Sequence, residues 1–204
     1  MMFEDSYRTI HSPAKGIFKD RGSRFIGFVF PVRSTEEVKK QVAELKKEHF
    51  SARHHCYAFR LGADKKHFHS NDDGEPSGSA GKPILGQIQS FDLTNVLIVV
   101  VRYFGGTLLG VPGLIAAYRG AAADALSNAE IVVAYVTEIY ELHFPYAAMN
   151  EVMKILKEND LKQWDQDFQL ECSLKFSVRK SAADKVLDQL KKLNGTKVKW
   201  LQIQ

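Results

Sequence analysis

Val96-Leu97-Ile98-Val99-Val100-Val101-Arg102-Tyr103-Phe104-Gly105-Gly106 is the stretch that decides the fold. A strand half open to water alternates apolar with polar residues. The unbroken aliphatic run Val96–Val101 instead predicts a strand covered on both faces, at the middle of a sheet with helices packed on it. The run is far shorter than the ~18 apolar residues of a membrane span. Downstream, the glycine-rich loop Gly105–Gly113 leads into an alanine-rich helix from Leu114 to about Asn128. Ala117, Ala121 and Ala125 would let that helix lie close to the sheet.

Upstream of the run the chain offers the rest of a sheet. Lys15–Lys19 and Ser23–Phe30 flank Asp20-Arg21-Gly22 as a hairpin. Ser34 and Glu37 have capping-box spacing for a helix with Val38, Val42 and Leu45 on one face. Cys56–Leu61 and Lys66–Ser70 read as paired strands. The turn-rich loop Asn71–Gly81 follows, and Pro83 opens a short helix to about Gln89.

After Ala134 the rhythm changes. Strands are expected at Val136–Phe144, Leu161–Trp164, Phe168–Val178 and Thr196–Ile203. Between them lie a helix after Pro145 carrying Met149, Val152, Met153 and Leu156, and one capped by Ser181 carrying Val186, Leu187, Leu190 and Leu193. This β-α-β-β-α-β order predicts a ferredoxin-like plait. The expected fold class is α+β, with domains at residues 1–133 and 134–204 and the boundary near Ala129–Ala134.

Of 204 residues, 45% are apolar and 25% charged, which excludes a disordered tail. Residues 1–8 offer no apolar run for a signal peptide, so the cytoplasm is the expected location, with no membrane association. Cys56 and Cys172 are then expected to be reduced thiols. A net charge of +4 permits nucleic-acid contact without demanding it.

Two glycine-rich loops each deliver the chain to a helix start, where free N–H groups and the helix dipole favour anions. This makes Ser77, Gly78, Ser79, Gly81 and Lys82 in the first loop, and Gly105, Gly106, Thr107 and Gly110 in the second, candidates for binding phosphate. The competing reading is two tight turns, since neither loop has the glycine spacing of a nucleotide motif. Asp72, Asp73 and Glu75 oppose a simple anion site, and Arg102 is the expected ion-pair partner of one of them. His54, Asp72, Asp73, Glu75, Arg102 and Tyr103 form one candidate network, structural or functional. No metal is expected; the minority alternative is a divalent ion on Asp72 and Asp73 with His67 and His69. A Cys56 nucleophile served by His54 or His55 is weighed against a packed thiol. Lys15, Lys19, Arg21 and Arg24, with Asp20 among them, and separately Lys191, Lys192, Lys197 and Lys199, form basic segments. Trp164 and Trp200 are read either as core or as stacking platforms.

Three segments together resemble the N-terminal domain of the IMPACT/YigZ family in order and spacing. They are Ala52–Arg60, Asn71–Leu85 with its Asp-Asp-Gly-Glu-Pro, and Val100–Tyr118 with its Arg-Tyr-Phe-Gly-Gly. The bacterial branch of that family adds a small ferredoxin-like domain, so the resemblance covers essentially the whole chain. It implies a two-layer α/β domain like domain IV of elongation factor G and a small-subunit ribosomal protein, followed by a domain like that factor's last one. Eukaryotic relatives regulate translation under amino-acid stress through an additional N-terminal domain, which is not expected in this chain. For the bacterial branch the implied partner is RNA or the ribosome. The chain departs from the family pattern at Thr107-Leu108-Leu109 and at Ala116, where two basic side chains are missing.

The resulting expectation is a non-enzymatic, cofactor-free RNA- or ribosome-associated protein in translation regulation or stress response. The alternatives are a metal-dependent hydrolase built on Asp72, Asp73 and Glu75, and an adaptor with a protein partner. The sequence leaves the oligomeric state open.

Overall fold

The computed structural model describes residues 5–203. The chain divides into two compact units, one spanning Tyr7–Ala134 and one that begins at Tyr135 and takes in Asp5 and Ser6.

In the first unit, a five-stranded sheet is built from β2 (Ala14–Asp20), β3 (Ser23–Pro31), β4 (His54–Leu61), β5 (His67–Asn71) and β6 (Val96–Tyr103). The order is β2-β3-β6-β4-β5, and every neighbouring pair is antiparallel. The aliphatic run is therefore the central strand. Val96, Ile98 and Val100 pack on one side with α2 (Gly81–Ser90) and α3 (Gly110–Ser127). Leu97, Val99 and Val101 pack on the other with Val38, Val42 and Leu45 of α1 (Thr35–Glu48). All six are fully buried; each contributes roughly 1.5–3 kcal/mol relative to exposure. Helices on both faces make three layers, so the expected two-layer arrangement is corrected. A central strand apolar on both faces needs a cover on each, and the stripe of α1 supplies the second.

The helix starts also differ from expectation. α3 begins at Gly110, because Pro112 sits in the first turn, where its missing N–H costs nothing. α2 begins at Gly81, two residues before Pro83, because a carboxylate upstream satisfies its first N–H groups. Where the sequence suggested only a boundary, Ile131–Tyr135 forms β7, paired with β1 (Ser6–Ile10). Asp124 accepts from the Ile17 N–H at 2.8 Å, and Asp92 pairs with Lys65 at 2.6 Å.

The second unit runs β8 (Thr137–Pro145), α4 (Met149–Glu158), β9 (Lys162–Phe168), β10 (Glu171–Arg179), α5 (Lys180–Lys191) and β11 (Lys197–Ile203). Its antiparallel order β11-β8-β10-β9 is that of the plait. The alternating set Cys172, Leu174, Phe176 and Val178 is buried against Val152, Leu156, Val186 and Leu190. Leu170 falls outside β10 and is exposed. Asp5 rather than Ser181 satisfies the start of α5. Its carboxylate accepts two bonds from Arg179, at 2.6 and 2.8 Å, and one from the Ser181 N–H at 2.9 Å. Arg179 foremost holds that carboxyl far below the usual range. Trp200 is 56% exposed, so it is not a core residue.

Candidate functional site

The acidic turn between β5 and α2 is folded by its own side chains. Asp73 takes a positive φ of 41°, and Gly74, at 88°, completes the reversal. Asp72 points at the start of α2: one oxygen accepts from the N–H of Ala80 at 3.0 Å and of Gly81 at 2.8 Å, the other from Gly78 at 2.8 Å. Burial works to raise the Asp72 pKa, but these N–H groups outweigh it and hold the carboxyl below its usual value. Asp73 turns to other partners. It accepts from the backbone N–H of His55 at 2.7 Å and from Lys46 Nζ on α1 at 2.9 Å. Against the burial that would raise it, these bonds keep its carboxyl low as well.

Glu75 is the third carboxylate and the one that goes inward. Its Oε1 accepts from Arg102 Nη1 and from the Tyr118 hydroxyl, both at 2.7 Å. The two side chains of this ion pair are 4% and 7% exposed. The Arg102 guanidinium also lies over the rings of Phe25 and Phe104, at 5.4 and 5.6 Å from their centroids. Burial pushes the Tyr118 hydroxyl far above its usual range, so it stays a donor. His54 Nδ1 sits 2.9 Å from the Asp73 carbonyl, which can only accept, so Nδ1 carries a proton. His54 Nε2 then faces Glu75 at 4.0 Å. Cys56 Sγ lies 3.0 Å from the Asp72 carbonyl and 3.3 Å from the Tyr118 hydroxyl, fully buried.

The second glycine-rich loop leaves β6 beside the hairpin tip. Gly105 donates its N–H to Ser23 Oγ at 3.1 Å, and a Cβ at Gly105 would run into the Gly22 backbone. Gly106 and Gly110 take positive φ of 89° and 70°, and no side chain caps α3. The two loops meet at one open cleft of about 550 Å³. Arg53, His54, Glu75 and Arg102 supply its polar groups. Pro76, Phe104, Leu108, Leu109, Val111 and Leu114 supply an apolar wall, and Gly110 brings the first turn of α3 into the lining.

The candidates thus sort into groups. His54, Asp72, Asp73, Glu75 and Arg102 share one network, whereas the Tyr103 hydroxyl is bonded apart from it, to His49 Nδ1 at 2.8 Å. In the first loop, Gly78 and Gly81 spend their N–H groups on Asp72, and the buried Ser79 hydroxyl donates to the Pro76 carbonyl at 2.6 Å. Those three are corrected as anion ligands: the loop carries its own anion. Ser77 and Lys82 are exposed, as are Gly105, Gly106 and Thr107 in the second loop.

His67 and His69 are exposed on β5, their rings set edge-on and tilted against Phe59 on the α1 side of the sheet. Asp72 caps α2 on the opposite side, so the four residues of the metal alternative do not converge. Among the described residues no group of three His, Cys, Asp or Glu has metal-holding geometry. The Cys56 nucleophile fails as well, since burial foremost pushes its thiol far above the ordinary value. Sequence reasoning missed Tyr118, Lys46 and Arg53. A tyrosine among the small residues of α3 was the one available signal that this face reaches a polar partner.

The family model of the Impact N-terminal domain matches residues 21–126. An IMPACT family member of Haemophilus influenzae is 32% identical over 170 residues, 82% of each chain. The IMPACT family member YigZ of Escherichia coli is 35% identical over 160 residues, 78% of each. Protein IMPACT of Rattus norvegicus is 41% identical over 96 residues, 45% of this chain and 30% of that one. A crystal structure described as that of a hypothetical protein matches 98% of this chain and 99% of its own. The TM-score is 0.75 at 29% identity.

Proposed function

The chain belongs to the IMPACT family, and on that footing we propose that it is a non-enzymatic RNA- or ribosome-associated module acting in translation and its regulation under stress. One observation carries the reading. At a single end of the five-stranded sheet, the start of β3, the start of β4 and the end of β6 lie side by side, pairing Arg24 with Tyr103 and His54 with Arg102. The hairpin tip adds Lys19 and Arg21, and Arg53 precedes β4. Lys19, Arg21, Arg24 and Arg53 are exposed cations. Beside them are Phe104, 51% exposed, and Tyr103, whose ring lies 4.8 Å from the Arg24 guanidinium. Exposed cations interleaved with aromatic rings are what a single-stranded nucleic acid requires: charge for phosphates and faces for bases.

The test is filter binding and ribosome co-sedimentation over a salt series. Four phosphate contacts would weaken single-strand affinity by roughly 50-fold between 50 and 200 mM salt. Replacing Arg21 and Arg24 by Ser should lower the slope of log affinity against log salt by about 1.4. Binding that ignores salt, or a slope the double variant leaves unchanged, refutes the proposal.

A further inference from the structure

We propose that the cleft between the two loops binds a monocarboxylate with an apolar body. In this arrangement the carboxylate meets the N–H groups of Gly110 and Val111 and the Nε–H of Arg102, and the body lies along Leu108, Val111 and Phe104. This goes beyond RNA association and does not depend on it.

Two independent observations point to a ligand. Arg102 lines the cleft with its side chain 7% exposed, and its buried Nε has no hydrogen-bond partner. Glu75 engages only Nη1 of the guanidinium, so this orphaned donor is a cost the fold carries unless something accepts from it. The start of α3 opens into the same cleft. No side chain caps it, its first turn has no acidic residue, and Pro112 contributes no N–H. Gly110 and Val111 are thus the donors free of intrahelical partners. α2, by contrast, has Asp72 folded onto its first N–H groups.

Charge selects the class of anion. The cleft is lined by Arg53, Arg102 and His54, with Glu75 cancelling one positive charge. Arg53, Arg102 and Glu75 together contribute +1, which one carboxylate balances. A phosphate dianion would leave uncompensated negative charge against a mostly apolar wall. The wall selects the body. Leu108 is 81%, Phe104 51% and Val111 46% exposed, and a ligand that covers them removes apolar surface from water. A cleft of about 550 Å³ is in the range of small-ligand sites. Two sources share this chemistry: the C-terminal residue of a peptide with a branched side chain, and a free aliphatic acid.

The experiment titrates the ¹⁵N-labelled full chain with N-acetyl-leucine, octanoate, N-acetyl-leucinamide and inorganic phosphate. The reporters are the amide signals of Gly110 and Val111 and the Arg102 Nε–H signal. At least one of the two carboxylates should shift all three with a Kd of about 1 mM or tighter. The neutral leucinamide should bind at least tenfold more weakly than N-acetyl-leucine wherever the latter binds, having lost the charge-assisted bonds. Response to N-acetyl-leucine alone assigns a peptide C-terminus, and response to octanoate alone a free acid. Leu108→Ser, at an exposed position that leaves the fold intact, should weaken either by roughly fivefold or more. The proposal is overturned if neither carboxylate moves the three reporters, if leucinamide matches N-acetyl-leucine, if phosphate binds as well as the carboxylates, or if Leu108→Ser changes nothing.

Discussion

Glu75→Gln removes one charge from the buried pair and almost nothing else. The glutamine oxygen still accepts from the Tyr118 hydroxyl, so the change isolates the ionic part of a contact 2.7 Å long between side chains 4% and 7% exposed. Taking one partner from a buried pair costs about 3–5 kcal/mol, because the other charge is left without compensation. The amide dipole that remains beside Arg102 puts the expected loss near the lower figure, about 3 kcal/mol. Against the roughly 5–15 kcal/mol of a typical domain that is a large fraction. It corresponds to a melting temperature lower by about 10–15 °C for a unit of this size. Arg102→Met should cost a comparable amount, leaving Glu75 buried with Tyr118 alone. The double variant removes both charges, so its loss should fall short of the sum by about 2 kcal/mol or more. The assay has to report on the right unit. Both tryptophans, Trp164 and Trp200, lie in the second unit, so their emission does not follow this sheet. Native-state exchange of the Val99–Val101 amides on β6 does. A Glu75→Gln loss under about 1 kcal/mol, or strict additivity in the double variant, would refute the claim that this pair holds the acidic turn to the sheet.

Two further changes probe the loops separately. Asp72→Asn keeps one acceptor but loses the charge, and should cost about 1–2 kcal/mol at pH 7. The folded Asp72 pKa is depressed, so its contribution is present above the unfolded carboxylate value and is lost as pH falls through the folded one. The gap in urea midpoint between wild type and variant should therefore close on acidification from pH 7 toward pH 2; a constant gap would show that the charge is irrelevant. Gly105→Ala drives a Cβ into the Gly22 backbone, whereas a Cβ at Gly106 meets nothing within 4 Å and is penalised only by its φ of 89°. Thermal unfolding should rank the losses at about 2 kcal/mol or more for Gly105→Ala and about 1 kcal/mol for Gly106→Ala. Equal losses would mean that the two turns are not packed together.

What the sequence made legible is what a period or a local turn encodes. The Val96–Val101 run carries the two-faced burial of β6 in its composition, and the alternation from Cys172 to Val178 carries the inner face of β10. Arg102 was also readable as a partner for the acidic loop, since a cation at the end of a buried strand needs an acid. Which acid it took was not readable. Glu75 and Arg102 are 27 residues apart, and Tyr118 stands 43 residues from Glu75. Contacts at that separation are set by how α3 crosses the sheet, and no spacing rule reaches so far. The same holds for Lys46 on Asp73 and for Asp5 on Arg179, each joining distant elements. The third layer was missed for another reason. The stripe Val38, Val42 and Leu45 showed that α1 buries a face, while the choice of face belongs to the direction in which the chain leaves β3.

The two glycine-rich helix starts look alike as sequence and are opposites as chemistry, and the difference could have been read. A helix start attracts an anion from wherever one can reach it. The stretch before α2, Asn71 to Ala80, contains Asp72, Asp73 and Glu75, and Asp72 folds onto the N–H groups only eight and nine residues ahead of it. The stretch before α3, Val101 to Leu109, contains no carboxylate. A loop that carries its own acid within reach closes its helix start from inside, and its glycines then serve the turn. A loop without one leaves the helix start to solvent or to a ligand. Glycine content is common to both, so the presence of an upstream acid, rather than the glycines, separates a structural cap from a candidate site. By that criterion the functional question falls on the turn from Gly105 to Gly110 and the cleft it shares with Arg102.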